Sequence, residues 1–186
     1  MTSRYRSSTV CYLLATLIGG CMGGCMGGCM RGCAPEVSAQ EKALVGWVEN
    51  VTIPEAGVTL KAKLDTGAKT SSLDASSIKL IERDNGRWVQ FLLTDPETGE
   101  NIVMKEKRER GVKIIRHSGK HQRRHVVDMD VCVAGRRHNI EFSLIDRSNF
   151  IYPVLLGRSA LDRINLVIDP ESTFLSDPDC PTSDDK

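Results

Sequence analysis

Apolar and polar residues alternate along much of the chain, and this alternation is the main signal for its fold. Residues 58–64 and 138–145 both alternate with a period of two, which is typical of a strand with one buried face. The Asn85-Gly86 pair is a strong hairpin signal between two such runs. Only residues 159–163 have the pattern of a short helix. The pattern predicts an all-β protein, a small closed barrel with one short C-terminal helix.

Further β-rich runs fill most of the remaining chain after residue 42. They cover residues 45–53, 78–82, 87–93, 112–115, 126–133 and 165–168. The charged run at 105–110 has mixed signs, so we expect a solvated loop or an edge strand there. These boundaries predict a folded domain over residues 42–176 and a polar tail over residues 177–186.

The beginning of the chain has a different composition and predicts an export signal. Residues 1–6 contain two arginines and no acid, and residues 9–18 are uncharged and mostly apolar. The apolar run is too short to span a bilayer, so residues 1–20 are interpreted as a signal peptide. Gly19-Gly20-Cys21 resembles the lipobox of bacterial lipoproteins. Cys21 is therefore the preferred lipid acceptor, which predicts an exported, membrane-anchored lipoprotein in the cell envelope, facing the periplasm.

Residues 21–41 form a Gly/Cys/Met-rich tether in this interpretation, because a repeated Cys-Met-Gly-Gly sequence cannot bury a core. Cys25, Cys29 and Cys33 also follow glycine, so the lipid acceptor stays ambiguous. Two alternatives remain. One is an ordinary signal peptide with a low-complexity spacer. The other is a metal-binding Cys-x3-Cys ladder, although so flexible a stretch would not fix the ligand geometry.

Charge and cysteine placement narrow the functional classes. A formal net charge of +1 and only 5% aromatic residues argue against nucleic-acid binding through a basic surface or base stacking. Five of the seven cysteines lie in the first 33 residues. Of the other two, Cys132 is expected to be a small buried hydrophobe and Cys180 to belong to the tail. A disulfide between them is the less favoured alternative.

The candidate chemistry centres on Asp65. The sequence Leu64-Asp65-Thr66-Gly67-Ala68 places a carboxylate directly after an alternating strand, in a turn where glycine permits close backbone approach. Asp-Thr-Gly alone is also common as an ordinary polar turn. A second motif strengthens the functional interpretation, because the apolar strand at residues 154–156 runs into a glycine and an arginine before the short helix.

The two motifs together resemble a retropepsin, the retroviral type of aspartic protease. Residues 45–175 resemble more closely a bacterial retropepsin-like family of aspartic endopeptidases that was long named ATP-dependent zinc protease. The similarity is carried by Gly46-Trp47 and by residues 61–75, 152–161 and 167–170. The expected fold is therefore a retropepsin-like barrel.

The resemblance implies a mechanism with two aspartates that share one proton, activate water and polarise the peptide carbonyl. This chain has one Asp-Thr-Gly loop, so Asp65 from each of two copies would form the dyad of a homodimer. Thr66 would tie the two loops together, Gly67 would allow their close approach and Ala68 would keep the loop compact.

The resemblance also implies a role for each residue of the second motif. It implies that Leu156 and Gly157 pack beneath the loop and that Arg158 supports the interface or the following helix. The flap that should cover a substrate has three candidate tips, at residues 84–86, 95–99 and 117–120.

The older family name suggests zinc and ATP, and the residues favour neither. His117, His121 and His125 are spaced by four, but Gly119 interrupts them and no His-Glu-x-x-His sequence is present. A polar hairpin tip explains these histidines better. There is no phosphate-binding Gly-x4-Gly-Lys-Ser/Thr loop. We therefore expect no metal and no cofactor.

Two functional hypotheses follow from the sequence. The favoured one is a dimeric, lipid-anchored aspartic endopeptidase that hydrolyses peptide bonds in envelope proteins or peptides. Its expected partners are a protein or peptide substrate, a second copy of the chain and, through the lipid, a membrane, but no nucleic acid. The alternative is a non-catalytic lipoprotein with the retropepsin fold that binds peptides or acts as a scaffold.

Overall fold

The computed structural model describes residues 42–83, 86–115 and 121–180. These residues form ten strands and one short helix. The strands are β1 (Ala43–Ile53), β2 (Val58–Asp65), β3 (Ser71–Asp74), β4 (Ser76–Arg83), β5 (Gly86–Thr94), β6 (Asn101–Ile115), β7 (His121–Val133), β8 (Arg136–Ile145), β9 (Val154–Gly157) and β10 (Leu166–Thr173), and the helix is α1 (Arg158–Ile164).

Six of the strands close into a ring. Their order is β1, β2, β9, β3, β8 and β7, and the contact of Thr52 in β1 with Cys132 in β7 completes the circle. Strand β10 adds to the ring beside β1, in parallel, while β6, β5 and β4 extend the sheet from β7. The all-β, retropepsin-like fold predicted from the sequence is confirmed, including the single short helix after the last ring strand.

The period-two pattern explains how each ring strand packs. In β2, Leu60, Ala62 and Leu64 are buried, whereas Lys61 and Lys63 face outward. Apolar side chains from the other ring strands meet them in one continuous core, with Phe142 and Leu156 among those fully enclosed. Because Asp65 follows Leu64, its side chain lies on the outer face of the ring.

The charged run at residues 105–110 is not a loop or an edge strand, so that prediction is wrong. It lies in the middle of β6, which stands between β5 and β7 in the strand order: residues 101–107 pair with β5 and residues 108–115 pair with β7. Met104 is buried and Glu106 is half-buried, while Lys105 and Lys107 point to solvent. Buried and exposed side chains do alternate here. The sequence does not show this alternation, because charged residues occupy both the half-buried and the exposed positions.

Cys132 and Cys180 form a disulfide with a Cα–Cα distance of 5.3 Å, so the expectation of two unpaired cysteines is wrong. Cys132 is also buried, as expected, in β7. A further backbone hydrogen bond runs from the N–H of Gly135 to the carbonyl of Asp177. The described part of the tail, residues 177–180, is thus attached to the ring.

A buried carboxylate holds the chain just before that tail. Glu49 in β1 has no exposed surface and accepts hydrogen bonds from the N–H groups of Gly46, Leu175 and Ser176 and from the Ser176 hydroxyl. A buried polar side chain is costly unless it has such hydrogen-bond partners. Glu49 therefore couples the end of the domain to its first strand.

The predicted signal peptide, the tether and the lipid acceptor Cys21 lie outside the described residues. Within the described ranges, no helix is long and apolar enough to cross a membrane.

Candidate active site

The two sequence motifs meet because β2 and β9 pair in parallel. In their register Asp65 lies opposite Gly157, and Leu64 lies opposite Leu156. A side chain at position 157 would begin 2.6–2.8 Å from backbone atoms of Thr70. Glycine is therefore required at this position for the loop after Asp65 to pass over the end of β9. Leu156 is fully buried.

The Asp65 carboxylate is held by its own loop. Its Oδ1 accepts hydrogen bonds from the N–H of Gly67 at 2.9 Å and the N–H of Ala68 at 3.2 Å. Partial burial raises the pKa of Asp65, but the Gly67 N–H, the Lys63 ammonium and the Ala68 N–H together outweigh it and hold the pKa below its ordinary value. Asp65 is therefore ionised at neutral pH in this structure.

The other oxygen of Asp65 faces a lysine that the sequence interpretation did not single out. Lys63 Nζ lies 3.4 Å from Asp65 Oδ2. The signal was present in the sequence, because residues 63 and 65 share one face of an alternating strand. Thr66, next along the loop, is exposed.

Arg158 contacts the loop rather than only its own helix. Its Nη1 donates to the carbonyls of Thr66 at 2.8 Å and Gly67 at 3.0 Å, and its backbone N–H donates to the carbonyl of Ala68. The next residue, Ser159, donates both its hydroxyl and its backbone N–H to the Lys69 carbonyl. The loop is therefore fixed from outside by the start of α1.

Two buried polar residues, Ser71 and Arg147, also support the region around the Asp65 loop. The sequence interpretation did not identify either of them. The Ser71 hydroxyl accepts the Gly157 N–H at 3.2 Å, below the loop. Arg147 donates to the Ser72 hydroxyl at 2.8 Å and to the Tyr152 carbonyl at 3.0 Å. Burial lowers the pKa of Arg147, and the opposing charge of Asp74 partly compensates. No short motif marks these contacts, because their partners come from distant strands.

His121 and His125 lie in β7. His125 Nδ1 accepts a hydrogen bond from Arg108 Nε at 3.0 Å, while His117 lies outside the described residues. Burial, followed by the Arg108 charge, lowers the pKa of His125. In residues 42–83, 86–115 and 121–180, no group of three or more His, Cys, Asp or Glu side chains is placed to hold a metal ion.

Of the three candidate flap tips, the structure describes residues 95–99 in full. There the Asp95 carboxylate accepts the Glu97 N–H and the Thr98 hydroxyl, which makes a compact turn between β5 and β6. The tips at 84–86 and 117–120 lie wholly or partly outside the described residues. The position of a flap therefore stays a prediction.

A six-stranded ring with an Asp-Thr-Gly-Ala loop packed on an apolar-Gly-Arg strand defines a class of protein, the retropepsin-like aspartic endopeptidase fold. Within that class, a family model described as RimB-like, retropepsin-like aspartic endopeptidase RimB, matches residues 44–179. The chain belongs to this RimB-like family, which confirms the family expected from the sequence.

Similar proteins extend this comparison. A Shewanella pealeana protein named probable alpha-L-glutamate ligase is 31% identical over 139 residues, which are 73% of this chain and 30% of that protein. A Desulfotalea psychrophila protein of the same name is 34% identical over 133 residues, 69% of this chain and 28% of its own length. The chain thus spans less than a third of these curated relatives.

A solved structure also matches. The crystal structure of a Legionella pneumophila protein of unknown function superposes with a TM-score of 0.65 and 33% sequence identity. The match covers 74% of this chain and 100% of the Legionella chain.

Proposed function

We propose that this protein is an aspartic endopeptidase whose active site forms when two copies bring their Asp65 carboxylates together. The observation that carries the proposal is the Asp65 carboxylate itself. It sits ionised at the end of a ring strand, oriented by two loop N–H groups and fixed by Arg158. Membership of the RimB-like family supports the assignment.

The chemistry follows from placing two such carboxylates side by side. Adjacent carboxylates cannot both ionise at low cost, so one proton is shared and the titration belongs to the pair. The charged Asp65 takes a proton from a water molecule, and the protonated Asp65 of the second copy donates toward the peptide carbonyl. The water oxygen forms the new bond to the carbonyl carbon, and the C–N bond then breaks as the amine takes a proton.

The surface beside the loop supports a second copy as partner. A cleft of about 440 Å³ is lined by Thr66 and Arg158 together with Leu161 and Leu166. Ile168, on the same face of β10 as Leu166, also lines this cleft. Apolar side chains next to an exposed Thr66 suit a self-complementary interface.

Export and lipid anchoring through Cys21 remain part of the proposal. The Cys132–Cys180 disulfide supports export, because structural disulfides persist mainly in oxidising compartments such as the periplasm.

The substrate we propose is a peptide that contains glutamate. Relatives that carry a region similar to this chain are named probable alpha-L-glutamate ligase. Lys63 and Arg158 place positive charge at the carboxylate and its loop, which suits an acidic peptide.

Asp65→Asn tests the proposal directly. The substitution keeps the shape of the side chain but removes the ionisable group, so cleavage of glutamate-containing peptides should fall at least about a thousandfold. Sedimentation velocity should show the same dimer for both proteins. Undiminished cleavage by Asp65→Asn would refute the proposal. A strict monomer without cleavage from acid to neutral pH would favour the non-catalytic peptide-binding or scaffold protein.

A further inference from the structure

Lys63 and Asp65 lie on the same outer face of β2. The intervening Leu64 points into the core and is buried. The Lys63 ammonium lies 3.4 Å from Asp65 Oδ2, and the two side chains keep 41% and 26% of their surface exposed. A peptide that approaches Asp65 therefore meets an ammonium group as well as a carboxylate.

The contacts of Asp65 differ in how easily they can change. Oδ1 is bound by the backbone N–H groups of Gly67 and Ala68, which belong to the loop itself. Oδ2 faces an ammonium on a four-carbon side chain, which can move without any change in the backbone.

Charged groups lie beside both the Asp65 carboxylate and its loop, and Lys42 and Asp162 line the same cleft as Thr66 and Arg158. Strand β2 contributes Lys63, and α1 contributes Arg158, whose guanidinium is engaged by the carbonyls of Thr66 and Gly67. The register partner from β9 is Gly157, which carries no charge. Of these charges, the Lys63 ammonium is the one that pairs directly with the Asp65 carboxylate.

An ammonium at this distance opposes the shared proton that the dyad needs. It favours the ionised carboxylate, and in a dimer two such ammonium groups would lie beside two Asp65 side chains. A shared proton would be held more firmly if Lys63 moved away as the substrate bound. A carboxylate on the substrate supplies a new partner for the ammonium.

We propose that Lys63 is a positioning and specificity residue that pairs with Asp65 in the free enzyme and moves to an acidic side chain next to the scissile bond when substrate binds. Binding of an acidic substrate then frees Asp65 from its ion pair with Lys63, so that it can share a proton with the Asp65 of the second copy. This inference rests on the proposed endopeptidase function.

Binding to matched inhibitors tests the specificity role. Two hydroxyethylene peptides, with Glu or Gln next to the replaced amide, are titrated calorimetrically into the full-length dimer. Wild type should bind the Glu peptide about fivefold more tightly, the scale of an exposed ion pair. Lys63→Met should lose this preference and Lys63→Arg should keep it. Lys61→Met, which removes the same charge from the same strand face, should also keep it.

The pH profile of cleavage tests the positioning role. Removing the ammonium raises both macroscopic pKa values of the dyad, so both limbs of the Lys63→Met profile should move to higher pH, while Lys63→Arg restores the wild-type profile. An unchanged Glu preference or an unchanged profile in Lys63→Met overturns the inference. If wild type cleaves neither of the corresponding Glu and Gln peptides that keep the amide bond, the endopeptidase proposal fails, and the binding experiment still decides the role of Lys63.

Discussion

Asp65 and Gly157 are register partners in the parallel pairing of β2 and β9, although they belong to opposite ends of the domain sequence. The pairing brings the candidate acid to the strand that precedes α1. The loop after Asp65 then crosses so close to Gly157 that the backbone of Thr70 fills the space of a missing Cβ. The position of the carboxylate therefore depends on a glycine on another strand.

Gly157→Ala should destabilise the domain by about 1–3 kcal/mol, because its Cβ would overlap backbone atoms that cannot move independently of the loop. Urea denaturation measures the change. Gly111→Ala is the matched control, since its Cβ meets only the flexible end of the Arg108 side chain closely. Equal stability of the two variants would contradict the close approach at Gly157.

Arg158→Leu should lower peptide cleavage at least about tenfold, because the carbonyls of Thr66 and Gly67 lose the donor that fixes the loop. Its cost in stability should be only about 1 kcal/mol, since the lost hydrogen bonds are exposed. The matched control is Arg163→Leu on the same helix, whose guanidinium donates to the Asn139 carbonyl. Equal kcat/KM losses in the two variants would exclude a specific role for Arg158 in the loop.

The fold could be predicted because the alternation of residues is a local signal. Strand β2 is an example, since its buried leucines and exposed lysines follow the period of two directly. Strand β6 was predicted only in part, because charged side chains occupy both faces of its middle section. Glu106, on the half-buried face, looks in the sequence like any solvated residue.

The candidate site could be predicted only as far as its motifs reach. The Asp-Thr-Gly-Ala sequence identified Asp65, and the resemblance joined it to Gly157. The supports from Ser71 and Arg147 could not be predicted, because each depends on strands that are distant in sequence. Glu49 is a similar case, since its donors are Leu175 and Ser176 at the other end of the domain.

Cys180→Ser should lower the free energy of unfolding by about 2–4 kcal/mol, because the disulfide to Cys132 closes a loop of 48 positions in the unfolded chain. Thermal denaturation with and without dithiothreitol measures this effect. The reductant should lower the melting temperature of wild type and leave that of Cys180→Ser unchanged. Since the variant retains every N-terminal cysteine, a similar response in both proteins would mean that the reductant acts elsewhere.

Glu106 should make the stability of the protein decrease as the pH rises from about 4.5 to about 7. Burial, a hydrogen bond to Glu55 and the charges of Glu55 and Asp130 raise the pKa of Glu106 from 4.5 to about 7. Below pH 4.5 the residue is protonated in both the folded and the unfolded chain. Between the two values the unfolded chain loses the proton first, so the free energy of unfolding falls, and the loss is complete above pH 7.

Glu106→Gln cannot ionise and should therefore remove this part of the pH dependence. Because Glu106 is only half-buried, solvent screening limits the gain, and we expect the variant to be about 1 kcal/mol more stable than wild type at pH 8. Urea denaturation at pH 4.5 and pH 8 gives the comparison. Glu82→Gln, an exposed glutamate on β4, removes the same charge and should keep the wild-type pH dependence. If Glu106→Gln is no more stable than Glu82→Gln at pH 8, the Glu55–Glu106 contact does not retain a proton.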